Sequence, residues 1–158
     1  MDKRFYNPQH GEMSFSEVVN TLVTTMEEDA AARYAIFVGT DAASGMRDID
    51  FVSAIVLHKI GKGGRYFWTR EKTHRVHSLR QKIWHEALLS FELAQSLIAM
   101  LAERVALVHN LEIHIDIGEN GRTKEMIDEV VGMIIGSGFA VRIKPHAYAA
   151  SSVADRHT

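Results

Sequence analysis

The chain has 158 residues, an apolar fraction of 46% and no cysteine; this suits a single domain over residues 1–158 and excludes disulfides and thiolate metal sites. A net charge of −2 excludes a global pull toward polyanions, so any nucleic acid must meet a local cluster of cations. No apolar run approaches a membrane span and no apolar segment follows Met1-Asp2-Lys3-Arg4, so a cytoplasmic protein without membrane attachment is expected.

Residues 1–13 read as irregular, with Asn7-Pro8 and His10-Gly11 as breakers. Ser14-Phe15-Ser16-Glu17 is a capping box, and Phe15, Val18, Val19, Leu22, Val23 and Met26 then recur at helical spacing to an end near residues 28–31. Strands are expected over 34–41, 49–59 and 65–70, joined by short connections into an antiparallel meander. A long helix follows over about 74–104, its buried side traced by Val76, Leu79, Ile83, Leu89, Leu93, Leu97 and Leu101. Strict alternation over Leu111–Ile117 predicts a fourth strand, a helix is expected over about 123–135 before Gly136-Ser137-Gly138, and Phe139, Val141 and Ile143 mark a fifth strand. Right-handed crossovers through the helices make the first, fourth and fifth of these strands parallel neighbours. The expectation is an α/β fold: a mixed five-stranded sheet with flanking helices and an extra N-terminal helix.

Two of these strands deliver an acid at the carboxyl end, where open α/β sheets place their chemistry: Asp41 and Asp116. Glu92 on the long helix and Asp155 near the end of the chain are further candidates. Taken singly, an Asp ending a strand often caps a turn and a helical Glu is ordinarily solvated. Taken together, crowded carboxylates repel and need a cation. Oxygen donors alone suit Mg²⁺ or Mn²⁺, and two such ions activate water and stabilise the leaving oxygen of a phosphodiester. Glu119 is a spare acid, either an auxiliary ligand or, more ordinarily, a charge that favours the start of the following helix. His114 shares a strand face with Asp116; it is either a proton shuttle or, more ordinarily, a hydrogen-bonded packing residue.

A basic stretch supplies candidate substrate contacts at Arg70, Lys72, Arg75 and Arg80, with Tyr66, Phe67 and Trp68 interleaved. Cations bind phosphates without reading sequence, and aromatic rings stack on bases. The plainer reading makes the aromatics sheet core, which is taken for Phe67, and the cations a solvated surface. Arg156 is placed to pair with a phosphate or a site carboxylate.

Phe5-Tyr6-Asn7-Pro8, Gly39-Thr40-Asp41, the stretch from Ile113 to Gly121 and the run Ala150-Ser151-Ser152-Val153-Ala154-Asp155-Arg156 resemble a bacterial family of ribonuclease H-like proteins, the YkuK-like family, over nearly the whole chain. That family often continues Gly-Thr-Asp with Ser-Gln, where Ala42-Ala43 stands here. The resemblance implies a ribonuclease H-like fold and acids in the order Asp41, Glu92, Asp116, Asp155. It implies that Asp41 bridges two metal ions, that Glu92 and Asp116 hold one, and that Asp155 holds the other. The function so implied is a divalent-metal-dependent nuclease; the rival is a non-catalytic module of the same fold that binds nucleic acid or a protein partner.

Overall fold

The computed structural model describes residues 1–42, 49–72, 76–104, 111–118, 124–144, 146–147 and 157. Its centre is β3 (Tyr34–Ala42), flanked on one side by the antiparallel strands β4 (Asp50–Lys59) and β5 (Gly63–Lys72). On its other side lie the parallel strands β6 (Leu111–His114) and β7 (Ala140–Arg142). This is the expected meander with its parallel extension. Among the described residues the sheet has seven strands rather than five, because the N-terminal stretch forms a hairpin, β1 (Arg4–Asn7) and β2 (Gly11–Ser14), added to the edge of β5. The full order is β2-β1-β5-β4-β3-β6-β7.

The breakers that suggested irregularity build that hairpin's turn. Asn7 Oδ1 accepts from the amides of Gln9 at 2.8 Å and His10 at 3.0 Å, and its Nδ2 donates to the Tyr66 carbonyl at 3.0 Å. Gly11 sits at φ +70°, where a side chain is strained. Phe5, on the inward side of the same strand, is fully buried against Phe15. Tight turns and strands of four residues leave too short a periodic signal to be read as strands.

Helix α1 (Phe15–Glu28) starts at the predicted capping box: the Glu17 amide donates to Ser14 Oγ at 3.1 Å, and the Ser14 amide donates to Glu17 Oε1 at 3.3 Å. Helix α2 (Leu79–Ala102) begins five residues later than the pattern suggested. Ser78 explains the start, since its hydroxyl accepts the Gln81 amide at 3.1 Å and satisfies a first-turn donor. A 3₁₀ turn (Lys124–Met126) leads into α3 (Ile127–Gly136). The helices bury their apolar sides on one face of the sheet, where Val38, Ile55, Phe67 and Ile113 meet Leu22, Leu97 and Ile134. Among the described residues no helix is long and apolar enough to cross a membrane.

A small polar cluster sets the depth of α2 on the sheet. Ser90 Oγ donates to Thr40 Oγ1 at 2.8 Å, and Thr40 Oγ1 lies 2.8 Å from Ser53 Oγ, all three residues being buried. Buried hydroxyls are costly to leave unpaired, so the cluster favours one placement of the helix beside the end of β3.

Candidate functional site

The site is built at the carboxyl end of β3. The β3–β6 register pairs Ile36 with Leu111 and ends at Gly39 opposite His114. Two residues further along each chain bring Asp41 and Asp116 to corresponding positions. Beyond β6 the backbone stays aligned with the chain after β7: the Ile115 amide donates to the Arg142 carbonyl at 2.9 Å, and the Lys144 amide to the Ile117 carbonyl at 2.9 Å. Gly118 is closed in by the same chain, since a Cβ there would meet Lys144 Cβ at 3.3 Å.

The third carboxyl comes from α2, and it belongs to Glu86. One turn before Ser90, Glu86 is only 4% exposed. Its pKa is pushed from 4.5 to about 8, first by burial and then by the charges of Asp41 and Asp116; Lys82 and the backbone amide of Ala42 oppose the shift. Among the described residues the cation paired with it is weakly placed, with Lys82 Nζ 4.0 Å from Glu86 Oε1. Glu92, expected as the acid of this helix, is exposed. It stands six positions after Glu86, about 600° of rotation, and so on the other side of the helix. The physical signal for Glu86 is present in the sequence: Ile83, Leu89, Ser90 and Leu93 surround it at spacings of three, four and seven, all in the buried stripe. An acid inside such a stripe needs a partner or a proton, because a lone buried charge is costly.

Asp116 faces Lys144, whose Nζ lies 3.1 Å from Asp116 Oδ1. The contact is ionic rather than a directed hydrogen bond. Among the described residues, Asp116 Oδ1 and His85 Nε2 are the side-chain atoms shut off from solvent without a hydrogen-bond partner. His85 belongs to the same end of the sheet: it packs edge-on against Phe51, and Phe51 pairs with Ala42.

His114 is a packed residue. It is fully buried, stacks on Phe37 with ring centroids 4.5 Å apart, and has Nε2 3.2 Å from Glu112 Oε2. Burial lowers its pKa, with Glu112 opposing. Glu112 is shared with Arg142, whose Nε donates to its other oxygen at 3.3 Å.

The basic stretch divides between two parts of the molecule. Arg70, on β5, pairs with Asp50 at 3.1 Å and donates to the carbonyl of His157. Lys72 is exposed at the end of β5. Arg80 lies on α2 and pairs with Glu129 of α3. Arg75, Glu119, Asp155 and Arg156 lie outside the described residues.

An oxygen-only set of carboxylates, one of them pushed toward protonation by burial and then by its charged neighbours, fits a hard divalent cation chemically. Among the described residues, no group of three or more His, Asp or Glu side chains stands at metal-ligating separation. Asp41 and Asp116 act on Glu86 through their charges, without the three closing to a common coordination sphere.

A family model described as ribonuclease H-like matches residues 17–158. An uncharacterized protein, YkuK of Bacillus subtilis (strain 168), is 34% identical, over 98% of this chain and 96% of its own. No solved structure gives a significant match. The sheet order, the placement of the helices and these similarities agree: the chain belongs to the ribonuclease H-like family.

Proposed function

We propose that the protein is a divalent-metal-dependent nuclease that hydrolyses phosphodiester bonds, using Asp41, Glu86 and Asp116 to hold Mg²⁺ or Mn²⁺. The observation that carries this reading is the carboxyl of Glu86, whose proton affinity is raised first by burial and then by the charges of Asp41 and Asp116. A divalent cation among the three would replace that proton and relieve the repulsion. When bound, such ions promote attack of water on phosphorus and stabilise the departing oxygen.

The chain's own residues have the following roles in this reading. Asp41, on β3, and Asp116, two residues past the end of β6, set the span of the site. Glu86 closes it from the helix side and is held there by the buried Ser90–Thr40–Ser53 cluster. Lys144 partly neutralises Asp116 in the absence of a cation. Asp155 is retained as a further ligand from the C-terminal segment. Arg70 and Lys72, both on β5, offer positive charge to a phosphate backbone.

The test is hydrolysis of labelled single-stranded DNA and RNA, duplexes, hybrids and branched junctions, with Mg²⁺, with Mn²⁺ and with EDTA. Cleavage that needs the metal and is lost in Glu86→Gln supports the reading. Binding without cleavage of every substrate favours a non-catalytic nucleic-acid-binding module.

A further inference from the structure

We propose that Trp68 is a stacking site for an unpaired nucleobase, closed in the free protein by His157. The imidazole of His157 lies on the indole with ring centroids 4.4 Å apart and planes 12° apart, as a base would lie. Its Nε2 is 3.3 Å from the Tyr66 hydroxyl, and Arg70 donates to its carbonyl. Tyr6, whose ring centroid is 4.7 Å from that of Trp68, supports the indole from the neighbouring strand. The site therefore offers a π-face, a hydroxyl at the ring edge and a guanidinium beside it. Those three features suit a base, its polar edge and its phosphate.

Position connects this platform to the carboxylates. Directly paired residues share a sheet face. Asp41 pairs with Val52, and Val52 with Arg70; Gly39 pairs with Ala54, and Ala54 with Trp68. Asp41, Arg70 and Trp68 thus lie on one face, the one opposite the helices. Trp68 is two strand spacings and two residues from Asp41, a separation of roughly 12 Å, or a few nucleotides along a strand. A base within a duplex is already paired and stacked on both sides, so the ligand class is single-stranded DNA or RNA, or the unpaired arm of a junction. The proposal rests on the nucleolytic reading for the place of the scissile phosphate, but the binding step itself needs no cation.

The experiment uses the full chain with Trp84→Phe, which leaves Trp68 as the fluorophore, titrated in EDTA with oligo(dT), oligo(U) and a blunt duplex. Saturable quenching by a single strand is expected, with affinity at least tenfold weaker for the duplex. His157→Ala should tighten single-strand binding several-fold, since the competing ring is gone. Trp68→Leu, followed by anisotropy of a labelled oligonucleotide, should weaken it about tenfold or more. The comparison of the two oligonucleotides assigns DNA or RNA. Absence of quenching with both single strands overturns the proposal, as does weaker binding in His157→Ala, which would make His157 a support of the fold. Stacking in EDTA without hydrolysis in metal would leave this site standing and remove the nuclease; hydrolysis with Trp68 silent would do the reverse.

Discussion

The carboxyl of Glu86 sits beside the backbone amide of Ala42, one residue past Asp41, and the charge of Asp41 raises the proton affinity of Glu86. Helix and strand thereby bring two acids together that are 45 positions apart in the chain. Their separation is fixed from beneath by Ser90 and Thr40.

This relationship predicts how stability depends on pH without metal. The pKa of Glu86 is raised in the folded protein from 4.5 to about 8. Below 4.5 the carboxyl is protonated in both states. As pH rises from 4.5, the unfolded chain loses the proton while the folded protein must keep it, so stability falls up to about pH 8 and then levels. At about 1.4 kcal/mol per unit, the loss is roughly 3–5 kcal/mol over that window. Urea denaturation of the parent and of Glu86→Gln in EDTA checks this. Glu86→Gln should lack most of the slope and be the more stable of the two at pH 8; parallel curves would assign the pH dependence to other groups.

The same proton should leave when a cation binds. Calorimetric Mg²⁺ titrations in buffers of different ionisation enthalpy should report release of close to one proton near pH 6.5. Release should be almost nil near pH 9, where Glu86 is already ionised. No proton release at the lower pH would place the ion away from Glu86.

Lys144 supplies a contrast. Its side chain is 57% exposed and its ammonium faces Asp116 at 3.1 Å, so solvent screening limits the pair to no more than about 1 kcal/mol. Lys144→Met should therefore destabilise the metal-free protein only slightly and should strengthen its stabilisation by Mg²⁺, because a competing positive charge is gone. Thermal melts with and without Mg²⁺ check both; a loss of Mg²⁺ stabilisation in Lys144→Met would contradict the competing role.

The hydroxyl cluster makes a separate prediction about the fold. Ser90→Ala removes a buried donor to Thr40, which keeps Ser53 as its remaining partner, and should cost about 1 kcal/mol. A change of several kcal/mol by denaturant unfolding would mean that the helix has repacked.

The main architecture was legible because its signals are long. The aliphatic runs of β3 and β4, the alternation before Asp116 and the capping box at Ser14 each extend over enough residues to fix element type. The N-terminal hairpin was hidden because Asn7, Pro8 and Gly11 serve equally in a loop or a turn, and contacts distant in sequence, such as Tyr6 with Trp68 and Asn7 with the Tyr66 carbonyl, distinguish them. Asp41 and Asp116 stand out as candidates because the end of a strand is visible in sequence. Glu86 does not stand out in the sequence, because a helix's buried side depends on its phase against a sheet that the sequence does not show. Trp68 and His157 lie 89 positions apart, and nothing local in either segment marks their stacking.

The most direct measurement is a Mn²⁺ titration, read by electron paramagnetic resonance of the free ion, on the parent, Glu86→Gln and Glu92→Gln. Glu92 is exposed and on the other side of α2, so Glu92→Gln should bind as the parent does. Glu86→Gln should lose at least tenfold in affinity, because a buried anionic donor beside Asp41 and Asp116 is gone. Loss of binding in Glu92→Gln with retention in Glu86→Gln, or no Mn²⁺ binding by the parent, would contradict a cation site built from Asp41, Glu86 and Asp116.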